Sequence, residues 1–258
     1  MGIIKKFRIK SFKKSTPIIK LQKISLSFEK RILLDNISFN LNQGEILGLL
    51  GPNGVGKSTI FNLITGIIKP DFGSILINNK SVVNYPIAER SLKFRIGYVP
   101  QYGGYFHDLN ILENLNLVAE IQIVDKSVRS SKIEQLISKF EFETIMNIPA
   151  KFLSGGQKKK LVIAMSLLND PKVLLLDEPF AALDVLTIKM LKELIVNLQA
   201  EKKISICICD HQARDLLSCV DSAIILSNCK IIARGTPSEL VQDNKAKDAY
   251  FGDSFKFN

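Results

Sequence analysis

The chain has no tryptophan, only two histidines and only four cysteines among its 258 residues. It also has no long hydrophobic run. The longest apolar stretches, at 45–51, 173–176 and 223–226, are far shorter than the roughly 20 residues that span a bilayer. No segment is therefore expected to cross a membrane by itself. A content of 46% hydrophobic and 23% charged residues excludes a collagen-like, mucin-like or wholly disordered chain, and the length predicts one large domain or a core with a subdomain.

The scarce cysteines form no C-x-x-C pair and all lie in the last third of the chain, at Cys207, Cys209, Cys219 and Cys229. The first two belong to an I-C-I-C run that is typical of a strand. A spacing of two along a strand, without further converging ligands, matches no common metal site. We therefore expect buried free thiols.

Acidic residues are absent from the N-terminus. Residues 1–20 hold seven lysines and arginines and no acid, so they account for most of the net charge of +10. Such a tail can be attracted to anionic lipid or nucleic acid, at about 1 kcal/mol per basic residue near acidic lipid, or it can be a solvated, poorly ordered terminus. Phe7, Ile9 and Phe12 keep the membrane interpretation open. The tail lacks an apolar core and a cleavage site, so it is no secretory signal, and we expect a cytoplasmic protein.

The pattern along the chain predicts an α/β fold with a mostly parallel sheet, an antiparallel β subdomain and an inserted helical subdomain. Residues 18–28 and 32–41 are rich in β-branched and aromatic residues and predict an antiparallel pair. Alternating strands and helices elsewhere favour a parallel sheet, and helical stretches dominate between 101 and 170. Further strands are predicted at 45–50, 74–78, 95–100, 173–177, 204–210, 221–227 and 230–233. Helices are predicted at 57–65, 111–122, 127–140, 157–168 and 185–200, with a helical and then irregular end at 236–258.

Residues 51–58 read G-P-N-G-V-G-K-S and match the phosphate-binding pattern G-x-x-x-x-G-K-[ST] after a predicted strand and at the start of a predicted helix. Its glycines let successive N–H groups point at phosphate oxygens, and the helix adds its positive N-terminal end. Lys57 supplies a charge for the β- and γ-phosphates, and the Ser58 hydroxyl can ligate Mg²⁺. The predicted phosphate-binding set is Gly51, Pro52, Asn53, Gly54, Val55, Gly56, Lys57, Ser58 and Thr59.

Two acids, Asp177 and Glu178, end the apolar strand predicted at 173–177, at the strand end where parallel sheets place their ligands. Asp177 is positioned to hold the Mg²⁺ shell. Glu178 is the next residue and points elsewhere, so it is the natural group to polarise an attacking water.

A second candidate anion site is L-S-G-G-Q at 153–157, because a serine and two glycines start a helix there. The phosphate loop, this segment and L-L-L-D-E-P at 174–179 are similar, in order and spacing, to the motifs of ABC transporter ATP-binding subunits. The resemblance covers roughly residues 18–240, and these combined motifs are highly specific. It implies an ATPase that uses ATP and Mg²⁺, and two subunits that meet head to tail. The signature residues Ser154, Gly155, Gly156 and Gln157 of one copy then cap the γ-phosphate in the phosphate loop of the other.

The resemblance also assigns roles to single positions. Phe28 matches the family's aromatic that stacks on adenine, where a tyrosine is usual. Gln101 in Y-V-P-Q matches the glutamine that touches the metal and water, and 181–184 matches the loop that crosses the dimer interface. His211 matches the switch histidine at the γ-phosphate, so the implied catalytic residues are Lys57, Gln101, Glu178 and His211, and the implied metal ligands are Ser58, Gln101 and Asp177. His107 has no motif around it and is expected at the surface.

Two features depart from the family pattern. Lys158, Lys159 and Lys160 replace the usual arginine-rich run after the signature, and Met165 stands where arginine is typical. Lysine lacks the planar fork of arginine, so the anchoring of this helix is expected to differ.

The family comparison predicts four regions: a basic N-terminal extension at 1–16, an ATP-binding core at 17–101 and 169–235, a helical signature subdomain at 102–168, and a C-terminal helix and tail at 236–258. One motif set without a membrane span implies a homodimer. A heterodimer with a similar subunit is the alternative. The dimer would associate peripherally with the inner membrane through integral membrane subunits that dock near 101–112. Tyr102, Tyr105 and Phe106 are candidate contacts, or they pack within the helical subdomain.

Within the family, the segments 210–217 and 178–184 and the aromatic ending at 249–257 are similar to ATPases of lipopolysaccharide export systems. ATPases of branched-chain amino-acid importers are the alternative. A soluble ABC ATPase that acts on RNA or ribosomes ranks lower, because such proteins carry two nucleotide-binding domains or a long coiled coil, and no specific nucleic acid is expected.

Overall fold

A computed structural model describes residues 16–252 and residue 255 of the chain. The basic stretch at 1–15 lies outside the described residues, so its predicted roles stay predictions. The strands, in chain order, are β1 (Pro17–Phe28), β2 (Arg31–Asn42), β3 (Ile46–Leu50), β4 (Phe72–Ile77), β5 (Lys80–Ser81), β6 (Ile96–Val99), β7 (Val173–Asp177), β8 (Ser205–Cys209), β9 (Ser222–Ser227) and β10 (Lys230–Gly235). The helices are α1 (Lys57–Thr65), α2 (Ile87–Lys93), α3 (Ile111–Gln122), α4 (Lys126–Phe140), α5 (Gly155–Ser166), α6 (Val185–Lys202), α7 (Ala213–Leu217), α8 (Pro237–Gln242) and α9 (Asn244–Ala246). A 3₁₀ turn (Ala150–Phe152) precedes α5, and a π-helical turn (Lys247–Phe251) follows α9.

The first sheet is antiparallel, with strand order β2-β1-β4-β5. Glu29 and Lys30 form the tight turn between β1 and β2, and both adopt a positive φ, of 46° and 67°. The register pairs Leu26 with Leu34 and Phe28 with Arg31. This sheet confirms the predicted antiparallel pair and extends it by two strands.

The second sheet has the order β10-β9-β3-β8-β7-β6, in which β10 runs antiparallel to β9 and the other neighbours are parallel. Every residue of β3, β7 and β8 is buried. Parallel strands covered on both faces read as continuous apolar runs rather than alternating ones, which is why these segments were visible in the sequence. The loops that follow β3, β7 and β8 meet at the same edge of this sheet.

The core consists of two hydrophobic clusters, one on each face of the parallel sheet. Strand β7 shows the division: Leu174 and Leu176 belong to the cluster with the helical subdomain, whereas Val173 and Leu175 belong to the cluster with α1 and the antiparallel sheet. The alternation follows from the two-residue period of a strand. A shift of one residue along β7 would therefore exchange its contacts with both layers.

Helices α3, α4 and α5 lie between β6 and β7 in the sequence. They pack against one another and form the inserted helical subdomain. Asn114 of α3 is fully buried and fixes the chain that leads into this subdomain. Its amide donates to the carbonyl oxygens of Phe106, Leu109 and Asn110, and its Oδ1 accepts from the Phe106 N–H at 2.7 Å. A fully paired buried amide holds the entry segment in one conformation.

The predicted fold class is confirmed, and two details differ from the sequence predictions. Helices α2 and α7 and strand β5 were not predicted, because each is at most seven residues long. Burial is confirmed for Cys207, Cys209 and Cys219, but it is wrong for Cys229, which is half-buried in the turn between β9 and β10 with φ of 62°. Among the described residues, no helix is long and apolar enough to span a bilayer.

Candidate functional site

The glycine-rich loop connects β3 to α1, and its shape requires glycine at two positions. Gly56 has φ of 103°, and a Cβ there would lie 2.7 Å from Leu34 Cδ2. Gly51 has φ of 153°, and a Cβ there would lie 2.5 Å from the Leu226 carbonyl oxygen. Packing against β2 and β9 therefore forces the backbone into a curl that a side chain would prevent.

Lys57 begins α1 and is only 4% exposed. Its Nζ donates to the carbonyl oxygens of Gly51 at 2.8 Å and Pro52 at 3.1 Å, so the ammonium bridges the loop from inside. The N-cap of α1 is Gly56, which has no side chain to accept from the first turn of the helix. A positive charge and unmet N–H groups at a helix start together form a cradle for phosphate oxygens.

Arg90 of α2 supports the other end of α1. Its guanidinium is fully buried and donates to the carbonyl oxygens of Leu63 and Ile64, at 2.6 and 3.0 Å, in the last turn of α1. Burial lowers the pKa of this guanidinium. A cation at a helix C-terminus is favourable, and here it also satisfies carbonyl groups that the helix leaves unpaired.

Asp177, the last residue of β7, accepts three hydrogen bonds from three different elements. Oδ1 accepts from Ser58 Oγ at 3.0 Å and from Cys209 Sγ at 2.7 Å, and Oδ2 accepts from Tyr98 Oη at 3.2 Å. Burial and the charge of Asp177 raise the pKa of Tyr98 and that of the Cys209 thiol. Both groups therefore stay protonated and act as donors to the carboxylate.

Glu178 faces away from Asp177, as the sequence predicted. It adopts φ of 43°, which is uncommon for a residue with a side chain. Its Oε2 accepts from Gln101 Nε2 at 2.7 Å and lies 3.4 Å from His211 Nδ1. The turn after β7 thus brings a carboxylate, an amide and an imidazole together at the sheet edge.

Asp210, fully buried before His211, was missed by the sequence analysis. Its carboxylate accepts from the Phe180 N–H at 3.2 Å and the Gln212 N–H at 2.9 Å, so it ties the loop after β7 to the loop after β8. Burial raises the pKa of Asp210, and the two backbone hydrogen bonds act in the opposite direction. Only its position beside His211 in C-D-H hinted at this function.

The signature segment caps its own helix. Ser154 Oγ accepts from the Gln157 N–H at 3.2 Å, and Gln157 Oε1 accepts from the Ser154 N–H at 2.8 Å, which together form a capping box. A Cβ at Gly155 would lie 3.3 Å from Leu183, and one at Gly156 would lie 2.5 Å from Thr187 Cγ2. The signature segment therefore packs against the start of α6, whose N-cap is Asp184.

Phe28 lies at the end of β1 and is 66% exposed. It follows Leu26 by two residues, and Leu26 pairs with Leu34, the neighbour of Gly56. The exposed ring of Phe28 therefore lies at the end of β1, two residues beyond the pair that contacts the phosphate loop at Gly56.

The structure brings the six predicted catalytic and metal-binding residues into one cluster: Lys57, Ser58, Gln101, Asp177, Glu178 and His211. The signature residues at 154–157 belong to a different surface, beside α6. Sequence reasoning missed Tyr98, Cys209 and Asp210, and also Lys159, which reaches the carbonyl oxygens of Pro100 and Gln101. His107 is exposed, as predicted, and its ring lies tilted against that of Tyr105, with the two centroids 4.7 Å apart.

Residues 34–181 match the family model described as "ABC transporter". The matched segment contains the phosphate loop, the signature and the two acids at the end of β7, Asp177 and Glu178. The chain belongs to the ABC transporter family and is an ABC-type ATPase that binds ATP.

Within this family, the chain is similar to several individual proteins. The chain is 35% identical over 240 residues to the lipopolysaccharide export system ATP-binding protein LptB of Haemophilus influenzae. The aligned residues cover 93% of this chain and 99% of LptB. Among solved structures, cbiO1 from Clostridium perfringens, part of the ABC transporter complex cbiONQ, aligns with a TM-score of 0.81 and 29% identity over 90% of this chain and 93% of its own. The dimeric ATP-binding cassette MJ0796, bound to ADP and Pi, aligns with a TM-score of 0.76 and 26% identity over 85% of this chain and 98% of its own.

Proposed function

We propose that the chain is the ATP-hydrolysing subunit of a lipopolysaccharide exporter in the inner membrane. The observation that carries this proposal is 35% identity to LptB over nearly the full length of both chains. The chain carries the complete set of ABC motifs, which supports the proposal that it hydrolyses ATP. The similarity to LptB favours lipopolysaccharide as the cargo over branched-chain amino acids, the cargo of the alternative importer.

The phosphate loop and the start of α1 would hold the ATP phosphates. The glycine-dependent curl, buried Lys57 and the uncapped helix start fit an anionic group. Ser58 Oγ and Asp177 Oδ1, 3.0 Å apart, are hard oxygen donors of the kind that Mg²⁺ prefers, with Gln101 as a further oxygen ligand. Bound Mg²⁺ would neutralise charge on the phosphate oxygens. Phe28 offers its exposed ring to adenine.

Glu178 orients the attacking water, and His211 steadies the γ-phosphate. Their separation of 3.4 Å and the hydrogen bond from Gln101 to Glu178 support this assignment. The chain supplies position and charge stabilisation rather than a covalent intermediate. Lys57 adds its charge at the β- and γ-phosphates.

Two copies would complete each site. The signature residues Ser154, Gly155, Gly156 and Gln157 of one copy would face the phosphate loop of the other. Two facts support this arrangement: the signature packs beside α6 of its own chain, and the related cassette MJ0796 is dimeric with ADP and Pi. The capping box keeps the α5 N-terminus paired until phosphate replaces it.

The dimer would bind integral membrane subunits peripherally through the segment at 101–112. Tyr102 is largely exposed and Phe106 is 48% exposed, whereas Tyr105 packs against the hydrophobic core. The structure therefore favours Tyr102 and Phe106 over Tyr105 as partner contacts.

The catalytic assignment is tested by Glu178→Gln. We expect ATP turnover to fall roughly 100-fold or more, because the carboxylate that orients water is lost, while binding of a fluorescent ATP analogue is retained. Glu193→Gln, an exposed glutamate on α6, is the matched control and should hydrolyse at the wild-type rate. Full turnover by Glu178→Gln would show that another group orients the water.

The cargo is tested by co-purification of the tagged chain from its own membranes, followed by identification of the bound subunits. Recovery of lipopolysaccharide-exporter subunits is the expected result. Amino-acid permeases would replace the proposal by its alternative, and recovery only with ribosomes would exclude transport.

A further inference from the structure

Lys159 and Lys160 follow the signature on α5 and point in different directions, although they are consecutive. Lys160 pairs with Glu141 within the helical subdomain, with 3.8 Å between Nζ and Oε2. Lys159 instead turns inward. Its Nζ donates to the carbonyl oxygens of Pro100 at 3.3 Å and Gln101 at 3.1 Å. The basic run is therefore not a uniform solvated surface.

The Lys159 ammonium is in the electrostatic field of three acids at this edge of the sheet. Burial lowers its pKa, while the negative charges of Asp177, Asp210 and Glu178 act in the opposite direction. Two hydrogen bonds and the attraction of three acids therefore hold the half-buried ammonium in place. Its stem belongs to α5, so the attachment joins the helical subdomain to the catalytic edge of the parallel sheet.

Gln101 is the residue through which this attachment reaches the reaction. Its backbone carbonyl accepts from Lys159, and its side-chain amide donates to Glu178 at 2.7 Å. A displacement of Lys159 would therefore move the backbone of Gln101 and, with it, the partner of Glu178. The N-terminus of the same helix carries Ser154 and Gly155, at the surface where the second copy would bind.

We propose that Lys159 is a positioning residue that couples α5 to the Gln101–Glu178 pair, so that the position of the signature helix sets the geometry of the water-orienting carboxylate. The inference rests on the proposed roles of Gln101 and Glu178. The Lys159 ammonium donates to the carbonyl oxygens of Pro100 and Gln101, so it acts through Gln101.

The test compares three variants of the full chain: Lys159→Met, Lys159→Arg and Lys160→Met. Methionine keeps the length of the stem but removes the donors. Arginine keeps donors and charge. Lys160→Met removes the same charge one residue away, where the ammonium pairs with Glu141 rather than with Gln101, and serves as the control. The measurements are kcat and KM for ATP and the affinity for a fluorescent ATP analogue, taken well below each melting temperature.

We expect Lys159→Met to lower kcat roughly tenfold, because small misplacements of catalytic groups are costly, with little change in nucleotide affinity. Lys159→Arg should restore most of the rate, and Lys160→Met should match wild type. A purely structural lysine would change the melting temperature but not kcat of the folded protein. If Lys159→Met does not fold, Lys159→Gln, which keeps a polar side chain at this half-buried position, takes its place with the same expected loss.

The proposal is overturned if Lys159→Met turns over at the wild-type rate, if Lys159→Arg loses as much as Lys159→Met, or if Lys160→Met loses as much as either. Glu178→Gln in the same assay separates this inference from the proposed function. Loss of turnover in Glu178→Gln together with a wild-type rate in Lys159→Met would remove only the coupling. Wild-type turnover in Glu178→Gln would remove the catalytic assignment itself.

Discussion

Tyr98 is the residue outside the motifs that bears most directly on the proposed metal site. Its hydroxyl donates to Asp177 Oδ2, the oxygen that Ser58 and Cys209 leave free. Tyr98→Phe removes this hydrogen bond and leaves the ring packed edge-on against Phe61. A lost bond of about 1 kcal/mol corresponds to roughly a fivefold higher Mg²⁺ concentration for half-maximal turnover.

The measurement is a Mg²⁺ titration of ATP turnover, accompanied by binding of a fluorescent ATP analogue with and without Mg²⁺. Nucleotide affinity without Mg²⁺ should not change. Tyr85→Phe is the control, because the Tyr85 ring packs edge-on against Phe94 and the donors to Asp177 are Ser58, Tyr98 and Cys209. Equal Mg²⁺ requirements in wild type and Tyr98→Phe would mean that Ser58 and Cys209 alone hold the carboxylate.

At this scale, the sequence predicted residues that belong to short local motifs and missed those that reach the site from neighbouring strands. Lys57 and Ser58 share one loop, so their proximity is local. Tyr98 and Cys209 contact Asp177 only because β6 and β8 flank β7 in the sheet. No spacing along the chain encodes that strand order, so no pattern could assign these two side chains to the carboxylate.

The contact between α5 and α6 depends on a single missing methyl group. A Cβ at Gly156 would lie 2.5 Å from Thr187 Cγ2. Gly156→Ala is therefore expected to lower the free energy of unfolding by about 1–3 kcal/mol through overpacking. Thr187→Ser removes that methyl while its hydroxyl can still bond Asp184, as Thr187 Oγ1 does at 2.5 Å. The double variant should recover most of the loss.

Chemical denaturation of the three variants checks this prediction. Gly155→Ala is the matched control, since its Cβ would meet only the flexible end of Leu183 at 3.3 Å. A double variant no more stable than Gly156→Ala alone would show that the cost arises from the helix start itself rather than from Thr187.

The C-terminal π-helical turn is attached to the site through Tyr250, whose hydroxyl donates to the His211 carbonyl oxygen at 2.8 Å. Burial raises the pKa of Tyr250 from 10.0 to about 12, and a hydrogen bond from the Gly51 N–H acts in the opposite direction. Because the pKa is higher in the folded than in the unfolded chain, the stabilisation is complete below pH 10 and declines as the pH rises toward 12.

Tyr250→Phe should lower the free energy of unfolding at neutral pH by about 1 kcal/mol and should lose stability less steeply in that alkaline range. Denaturant titrations at a series of pH values measure both effects. Tyr102→Phe, which alters an exposed ring, is the comparison and should follow wild type. Parallel curves for Tyr250→Phe and wild type would contradict the raised pKa of Tyr250, and equal free energies of unfolding at neutral pH would contradict the assigned hydrogen bond.

The sequence predicted long or continuously apolar elements well and short ones poorly. Strands β3, β7 and β8 are uniformly buried, so they appear as apolar runs. Helix α2 has seven residues, and its packing depends on buried Arg90, which bonds the last turn of α1. An arginine in a short helix reads as a surface residue, because its partners are carbonyl groups that only the tertiary fold supplies.

For the whole molecule, the order of strands in the parallel sheet explains why distant motifs meet. Strands β3, β8 and β7 are adjacent, and the phosphate loop, His211 and Glu178 follow their respective ends. Open parallel sheets bind ligands beyond these ends. The motifs predicted which residues belong to the site. Their contacts could not be predicted, because they depend on the crossover connections that place β8 between β3 and β7.

Attachment of the dimer to its membrane subunits is expected to depend on Phe106. Both backbone polar groups of Phe106 are bonded to buried Asn114, so its half-exposed ring is presented on a fixed loop. Phe106→Ala should weaken co-purification with the membrane subunits, by roughly tenfold in affinity, since truncated aromatic anchors cost more than 1 kcal/mol. ATP turnover of the isolated chain should not change.

Phe72→Ala is the matched control, because this aromatic is 74% exposed but lies on β4 of the antiparallel sheet. It should assemble as wild type does. Equal assembly of Phe106→Ala and Phe72→Ala would move the docking surface elsewhere. Loss of ATP turnover in Phe106→Ala would instead mean that the ring supports the neighbouring Gln101 rather than a partner. Selective loss of assembly is the result expected of a fixed aromatic on a loop that follows Gln101, the proposed catalytic glutamine. From that position, binding of the proposed membrane subunits would affect hydrolysis.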